Sequence, residues 1–199
     1  MTNPTRKDPR RSNFPMELAA QAIGIVAMSL NIVSFQFKSR KKLITAQLFG
    51  GLLFTVHYLL LGLATGTVLI GCVLNFMSVF RSVIYINKDR LHADRLVWKL
   101  SFSVLFVIAY AMVFLVFKMS ATPANLAIEV LPTVSMIIST FALAMNDSKG
   151  IRRLSLIYCP LWLVYNIIRF SIGGAICEIF SISSVVVGML RHDIKKRQK

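Results

Sequence analysis

Apolar residues fill seven blocks of the chain: Met16 to Gln36, Leu43 to Leu63, Thr67 to Asn87, Leu100 to Met119, Leu126 to Asn146, Leu156 to Ser171 and Ala175 to Leu190. A bilayer core about 30 Å thick is crossed by a helix of about 20 apolar residues. Lipid offers no partner to a backbone N–H or C=O, so a segment inside it satisfies those groups within itself, as a helix does. The pattern therefore predicts an all-α, polytopic membrane protein with seven transmembrane helices. The last two blocks are short, and Gly173-Gly174 marks the turn between them. Residues 1–15 carry Arg6, Lys7, Arg10 and Arg11 with three prolines and read as a basic disordered tail; residues 191–199 form a second basic tail. The first block is about 21 residues, longer than the 7–15 of a signal-peptide core, so it reads as a retained helix.

Composition agrees. Of 199 residues, 56% are hydrophobic and 16% charged, against roughly 45–50% and 25% in soluble domains. The net charge of +15 raises the question of nucleic acid, but the cations alternate with apolar blocks instead of forming one face, which argues for a lipid bilayer and against a nucleic-acid partner. The three cysteines lie inside apolar blocks without a C-x-x-C pair; neither a disulfide framework nor a metal site is expected.

The cations also predict orientation, because short cytoplasmic loops collect Lys and Arg. Lys38 to Lys42, the stretch from Lys88 to Lys99, Lys149 to Arg153 and the C-terminal tail all fall on one side. This puts the C-terminus in the cytoplasm and the N-terminus outside. The four cations of the N-terminal tail oppose that placement; a first helix that does not span would remove the conflict.

Residues 24–85 align without a gap on 132–193, at a constant offset of 108. Val26 meets Val134, Met28 meets Met136, Lys41 meets Lys149 and Gly66 meets Gly174. Basic loops and glycine turns fall at matching places. The expected plan is two parallel three-helix bundles, 16–87 and 126–190, joined by a linking helix at 100–119. Parallel repeats about an axis along the membrane normal are a transporter plan, with the solute between the halves.

Helix breakers at corresponding places of two halves point to such a site. Gly50-Gly51 and Cys159-Pro160 lie one position apart after the offset, and Gly24 lies opposite Pro132; all five Gly and Pro positions are candidate hinges, with close helix packing as the ordinary alternative. Polar groups in lipid are costly and are candidate functional groups by default. Those expected to bind a solute are Asn31, His57, Asn75, Trp162, Tyr165 and Asn166. Phe54 precedes His57 by three positions, as Trp162 precedes Tyr165, so each aromatic pair shares a helical face. Packing between helices, with His57 bonded to a neighbouring carbonyl, is the competing reading. Arg169 and Glu178 flank the glycine turn and are expected to form an ion pair, either locking the hairpin or gating the outer end. No H-E-x-x-H, G-x-S-x-G or P-loop occurs, so no enzyme, catalytic residue or cofactor is expected.

Val130-Leu131-Pro132-Thr133, Ile138 to Leu143, Tyr165-Asn166, Ser171 to Gly174 and Glu178, with His57 to Gly62, Asn75 and Arg81 in the first half, resemble the YgjV-like bacterial inner-membrane proteins. The resemblance spans nearly all of residues 24–193 and implies a polytopic inner-membrane protein. More remotely, the 3+1+3 pattern with an aromatic-x-x-Tyr-Asn element looks like the SWEET, PQ-loop and Pnu-type transporters, which implies a solute between the bundles. A Pro-Gln pair is missing, since Thr133 follows Pro132 and Gly24 stands in helix one. The function expected is a facilitator or secondary transporter of a small polar solute. The alternative is a non-transporting module that binds lipid or a membrane-protein partner; an oligomer is compatible with either.

Overall fold

The computed structural model describes residues 9–65, 70–116, 120–168 and 172–194. These form eight α-helices, α1 (Pro9–Ser34), α2 (Arg40–Thr65), α3 (Ile70–Ile86), α4 (Lys88–Leu91), α5 (Leu96–Leu115), α6 (Pro123–Ala144), α7 (Ser148–Ile168) and α8 (Ile172–Met189), and a closing π-turn, Leu190–Ile194. No strand occurs among the described residues. Among the described residues, five stretches are long and apolar enough to cross a membrane: Phe14–Ser34, Arg40–Leu63, Leu96–Leu115, Pro123–Ala144 and Gly174–Ile194. The apolar part of α3, Cys72–Ile86, is shorter, and α7 carries Lys149, Arg152 and Arg153 in its first two turns.

The helix boundaries differ most from the expected ones at three places. Helix α1 begins at Pro9, inside the stretch read as a disordered tail; the first eight residues lie outside the described ones. Helix α7 begins at Ser148, not at Leu156, because Asp147 Oδ1 accepts the Gly150 N–H at 2.7 Å and so supplies an N-cap. The C-terminal tail is not free from residue 191, since the π-turn holds Asp193 against Arg152. Helix α6 starts in the same way as α7: Thr122 accepts the Asn125 N–H at 3.2 Å, and Pro123 occupies the first turn, where its missing N–H is harmless.

Helix α1 packs on α2 and α2 on α3, while α6 packs on α7 and α7 on α8. Helix α5 rests on α6 and α3, and α1 meets α8 as α3 meets α6. On α5 Val97, Leu100, Val104, Leu105, Val107 and Ile108 are exposed. Such a surface is a liability in water and fits a lipid-facing helix. The core cluster gathers Leu43, Ile44, Tyr85, Phe102, Phe106, Leu143 and Ile151 at one end of the assembly, where the Lys- and Arg-rich connections also lie.

Long polar side chains lace that basic end together. Arg40 Nε donates to Met145 O at 2.6 Å, and its Nη2 donates to Tyr85 O at 2.8 Å and Leu143 O at 2.7 Å. These acceptors sit at the C-terminal ends of α3 and α6, where unsatisfied carbonyls carry partial negative charge. Lys88 donates to Ala144 O at 3.0 Å and to the Asn146 side chain. Burial first, and then the charge of Arg40, push the Lys88 ammonium below its usual value. Ser148 Oγ donates to Lys38 O at 2.8 Å. Arg152, only 1% exposed, donates to both carboxylate oxygens of Asp193, at 3.0 and 2.6 Å, and to Phe35 O and Phe37 O at 3.3 and 3.1 Å. Gln36 Nε2 donates to Ser184 O and Oγ, each at 2.8 Å, and Ser184 Oγ donates to Ile32 O at 2.6 Å.

Candidate functional site: a polar cavity between α1–α3 and α6–α8

A cavity of about 570 Å³ runs between α1, α2 and α3 on one side and α6, α7 and α8 on the other; α5 does not line it. That volume falls within the roughly 300–1,000 Å³ of small-ligand sites. The lining extends from Phe35, Arg81 and Ser82 near the basic end to Leu61, Gly174 and Glu178 near the other.

Five of the six residues expected to bind a solute line this cavity: Asn31, His57, Asn75, Trp162 and Asn166. They come from α1, α2, α3 and α7, separated by as much as 135 positions in sequence. Tyr165 does not line it. Its hydroxyl lies 3.3 and 3.4 Å from the two Glu129 carboxylate oxygens, and Glu129 is buried on α6. Tyr165 is one position before Asn166, about 100° round the helix, and its hydroxyl turns toward Glu129 of α6.

The aromatic pairs meet each other. Phe54 and His57 stand edge to face with centroids 6.3 Å apart, and Trp162 and Tyr165 do so at 5.8 Å. His57 Nδ1 lies 2.6 Å from Ala20 O. A carbonyl only accepts, so the imidazole proton sits on Nδ1, which leaves Nε2 as the acceptor of the neutral ring. The ring rests on Gly24, where a Cβ would stand 2.8 Å from Nδ1.

The expected hinges divide. Gly24 makes room for His57, and Gly50 lets α2 approach α1, since a Cβ there would lie 3.2 Å from Ala27 O. Gly51 has more space, with Val79 Cγ2 at 3.4 Å. Gly24 and Gly51 line the cavity. Pro132 is buried inside α6, and Pro160 is half-buried inside α7; neither lines the cavity. Each removes one backbone donor from its helix. Of the expected ion pair, Arg169 lies outside the described residues; Glu178 lines the cavity.

Arg81 is a lining residue that the apolar-block reading leaves unexplained. It is 5% exposed, and Nη1 donates to Met136 O at 2.9 Å, Ser139 Oγ at 2.8 Å and Thr140 Oγ1 at 2.9 Å. Its guanidinium carbon stands 5.2 Å from the centre of the Phe106 ring. Its signal is a cation inside an apolar block, near the end of the helix, where a topology role is the ready explanation. Ser78, Ser82 and Gln21 also line the cavity; nothing in their spacing separated them from ordinary helix serines and amides.

The profile of the Imp-YgjV family, described as bacterial inner membrane proteins, matches residues 18–196. The chain belongs to this family. Neither a curated protein nor a solved structure matches it, so the likeness to SWEET, PQ-loop and Pnu-type transporters rests on the sequence pattern alone.

Proposed function

For this member of a bacterial inner-membrane family, we propose a facilitator or secondary transporter of a small polar solute, bound in the cavity between two parallel three-helix bundles. In this reading α1–α3 and α6–α8 are the bundles and α5 is the link. The carrying observation is the cavity itself: about 570 Å³ of space lined by Asn31, Asn75, Asn166, His57 and Arg81. Lipid-facing helices that merely packed together would bury such groups against one another, because an unmatched polar group in a low-dielectric interior is costly.

Two features support a gated path. The bonds of Gln36, Arg40, Arg81, Ser148 and Arg152 to the facing half cluster at or toward the basic end. Lys and Arg favour the cytoplasmic side, so this conformation reads as closed toward the cytoplasm, with the C-terminus inside and the N-terminus outside. Helices α2 and α7 also begin at Arg40 and Ser148, in register with the offset of 108. Separation at the basic end, with closure at the other, would complete an alternating-access cycle.

The test is thermal stabilisation of the purified protein across a panel of small metabolites. A compound that raises Tm in wild type but not in Asn75→Ala supports the proposal. A silent panel together with tight retention of lipid would replace it with a non-transporting, lipid-binding module.

A further inference from the structure

Among the described residues, three arginines are drawn out of bulk water, and two have evident compensation. Arg152 holds the Asp193 carboxylate through both Nε and Nη2. Arg40 caps the ends of α3 and α6 through three carbonyls. Arg81 has neither arrangement. Its three bonds all leave Nη1 for neutral oxygens, one of them in mid-α6 and away from any helix end. Its Nε is buried with no partner, and no described carboxylate lies within ion-pairing distance of it. Glu178, the carboxylate that lines the same cavity, sits toward the other end.

Removing a cation from water costs several kcal/mol unless a counter-charge answers it. Neutral acceptors and the face of Phe106 answer only part; a cation–π contact contributes on the order of 0.5–2 kcal/mol. A guanidinium has five N–H donors in a planar fork, which matches a carboxylate in two-point contact. Arg81 lines the cavity beside Ser78 and Ser82, with Asn31 and Asn75 also lining it. These hydroxyls and amides can hold the rest of a polar molecule.

We propose that the solute is a small carboxylate whose negative group docks on Arg81 near the basic end of the cavity. This deepens the transport reading and rests on it. Because Nη1 also joins α3 to α6, a carboxylate on the same guanidinium competes with Met136 O, Ser139 and Thr140 for it. Solute arrival thereby loosens one of the bonds that hold the basic end shut, and binding is coupled to opening.

The test is thermal unfolding of the purified full-length chain with succinate, glutarate or benzoate, against succinamide, glutaramide or benzamide and against inorganic phosphate, at constant ionic strength. At saturating concentration the carboxylates should raise Tm by about 3 °C or more and their amides should not; Arg81→Gln should abolish the shift. A second variant guards against misfolding of the first. Ser78→Asp places a carboxylate three residues before Arg81, on the same helical face. It should start with a higher Tm than wild type and gain nothing from added carboxylate. Equal stabilisation by acids and amides, retained in Arg81→Gln, overturns the carboxylate assignment and leaves the cavity reading standing. Stabilisation by phosphate but not by carboxylates overturns the assigned class. A response to none of the compounds, with Ser78→Asp no more stable than wild type, removes the carboxylate proposal and the support for a solute site together.

Discussion

Gly188→Ala tests how tightly the two halves close at the basic end. A Cβ at this position of α8 would stand 2.5 Å from Phe35 O, 3.1 Å from Arg152 Cδ and 3.3 Å from the Phe35 carbonyl carbon. Carbon and oxygen prefer to be about 1 Å further apart than the closest of these. The obstruction is backbone and cannot be relieved by a rotamer change. Overpacking of this kind costs about 1–3 kcal/mol. Displacing Phe35 O also weakens its 3.3 Å bond from Arg152 Nη1, and bonds to charged groups contribute about 1.5–3 kcal/mol. Better helix propensity returns about 1 kcal/mol, so the net expectation is a loss of about 2–3 kcal/mol. At roughly 2–4 °C per kcal/mol for a chain of this size, Tm falls by about 4–12 °C. Gly51→Ala is the control, because its nearest neighbour is Val79 Cγ2 at an ordinary 3.4 Å; it should leave Tm unchanged or slightly raised. Tryptophan fluorescence during heating in detergent reads both, through Trp98 and Trp162. If Gly188→Ala unfolds at or above the wild-type temperature, the close approach of α8 to Phe35 does not exist in solution.

Gly24→Ala should destabilise by about 1–2 kcal/mol through the His57 ring, and His57→Ala in the same chain should recover part of that loss; strict additivity in a double-mutant cycle would mean the two positions do not touch. Arg152→Ala leaves Asp193 buried without its partner and should cost about 3–5 kcal/mol, read as a collapse in the yield of monodisperse protein; a normal yield would show that the pair is open to water. Tyr165→Phe removes the hydroxyl near Glu129 and should leave solute-induced stabilisation intact, whereas Trp162→Ala should weaken it; the reverse outcome in a thermal-shift assay would put Tyr165 in the binding surface.

The membrane class was legible because burial in lipid leaves a coarse signal: long apolar blocks with cations between them. Boundaries were legible only where apolarity decides them. Arg40, Lys149 and Arg152 read as loop cations, yet they lie inside α2 and α7. A cap at Asp147 and three carbonyl acceptors for Arg40 outweigh the local charge, and those acceptors lie 45 to 105 positions away in sequence. The cavity residues were found by one rule, that polar groups in lipid face inward, and the rule separates inside from outside without separating cavity from packing. It therefore took Tyr165 along with Asn166. Ser183, the position that the offset of 108 sets against Asn75, turns outward and bonds Ile179 O at 2.8 Å. Arg81 was missed for the opposite reason, since a cation near a helix end has a ready explanation in topology.

The offset of 108 makes the two halves comparable position by position, and their basic ends use different chemistry at one joint. Ile44 and Tyr85, both 0% exposed and in one core cluster, correspond to Arg152 and Asp193. In the first half the start of the second helix and the end of the third are held by hydrocarbon and a ring; in the second half an ion pair holds them. Well-packed apolar residues commonly match or exceed a buried ion pair in stability, so stability alone does not call for the charges. What the ion pair adds is reach and direction: Arg152 also donates to Phe35 O and Phe37 O of the facing half, which an isoleucine cannot do. In the proposed cycle the first half keeps a rigid apolar joint while the second half carries the polar latch. Replacing the pair by its counterparts, Arg152→Ile with Asp193→Tyr, should then preserve folding while loosening the closure between the halves. Labelling of a cysteine introduced at Phe35 separates the outcomes: faster modification than in the wild-type background supports the latch, and unchanged protection refutes it.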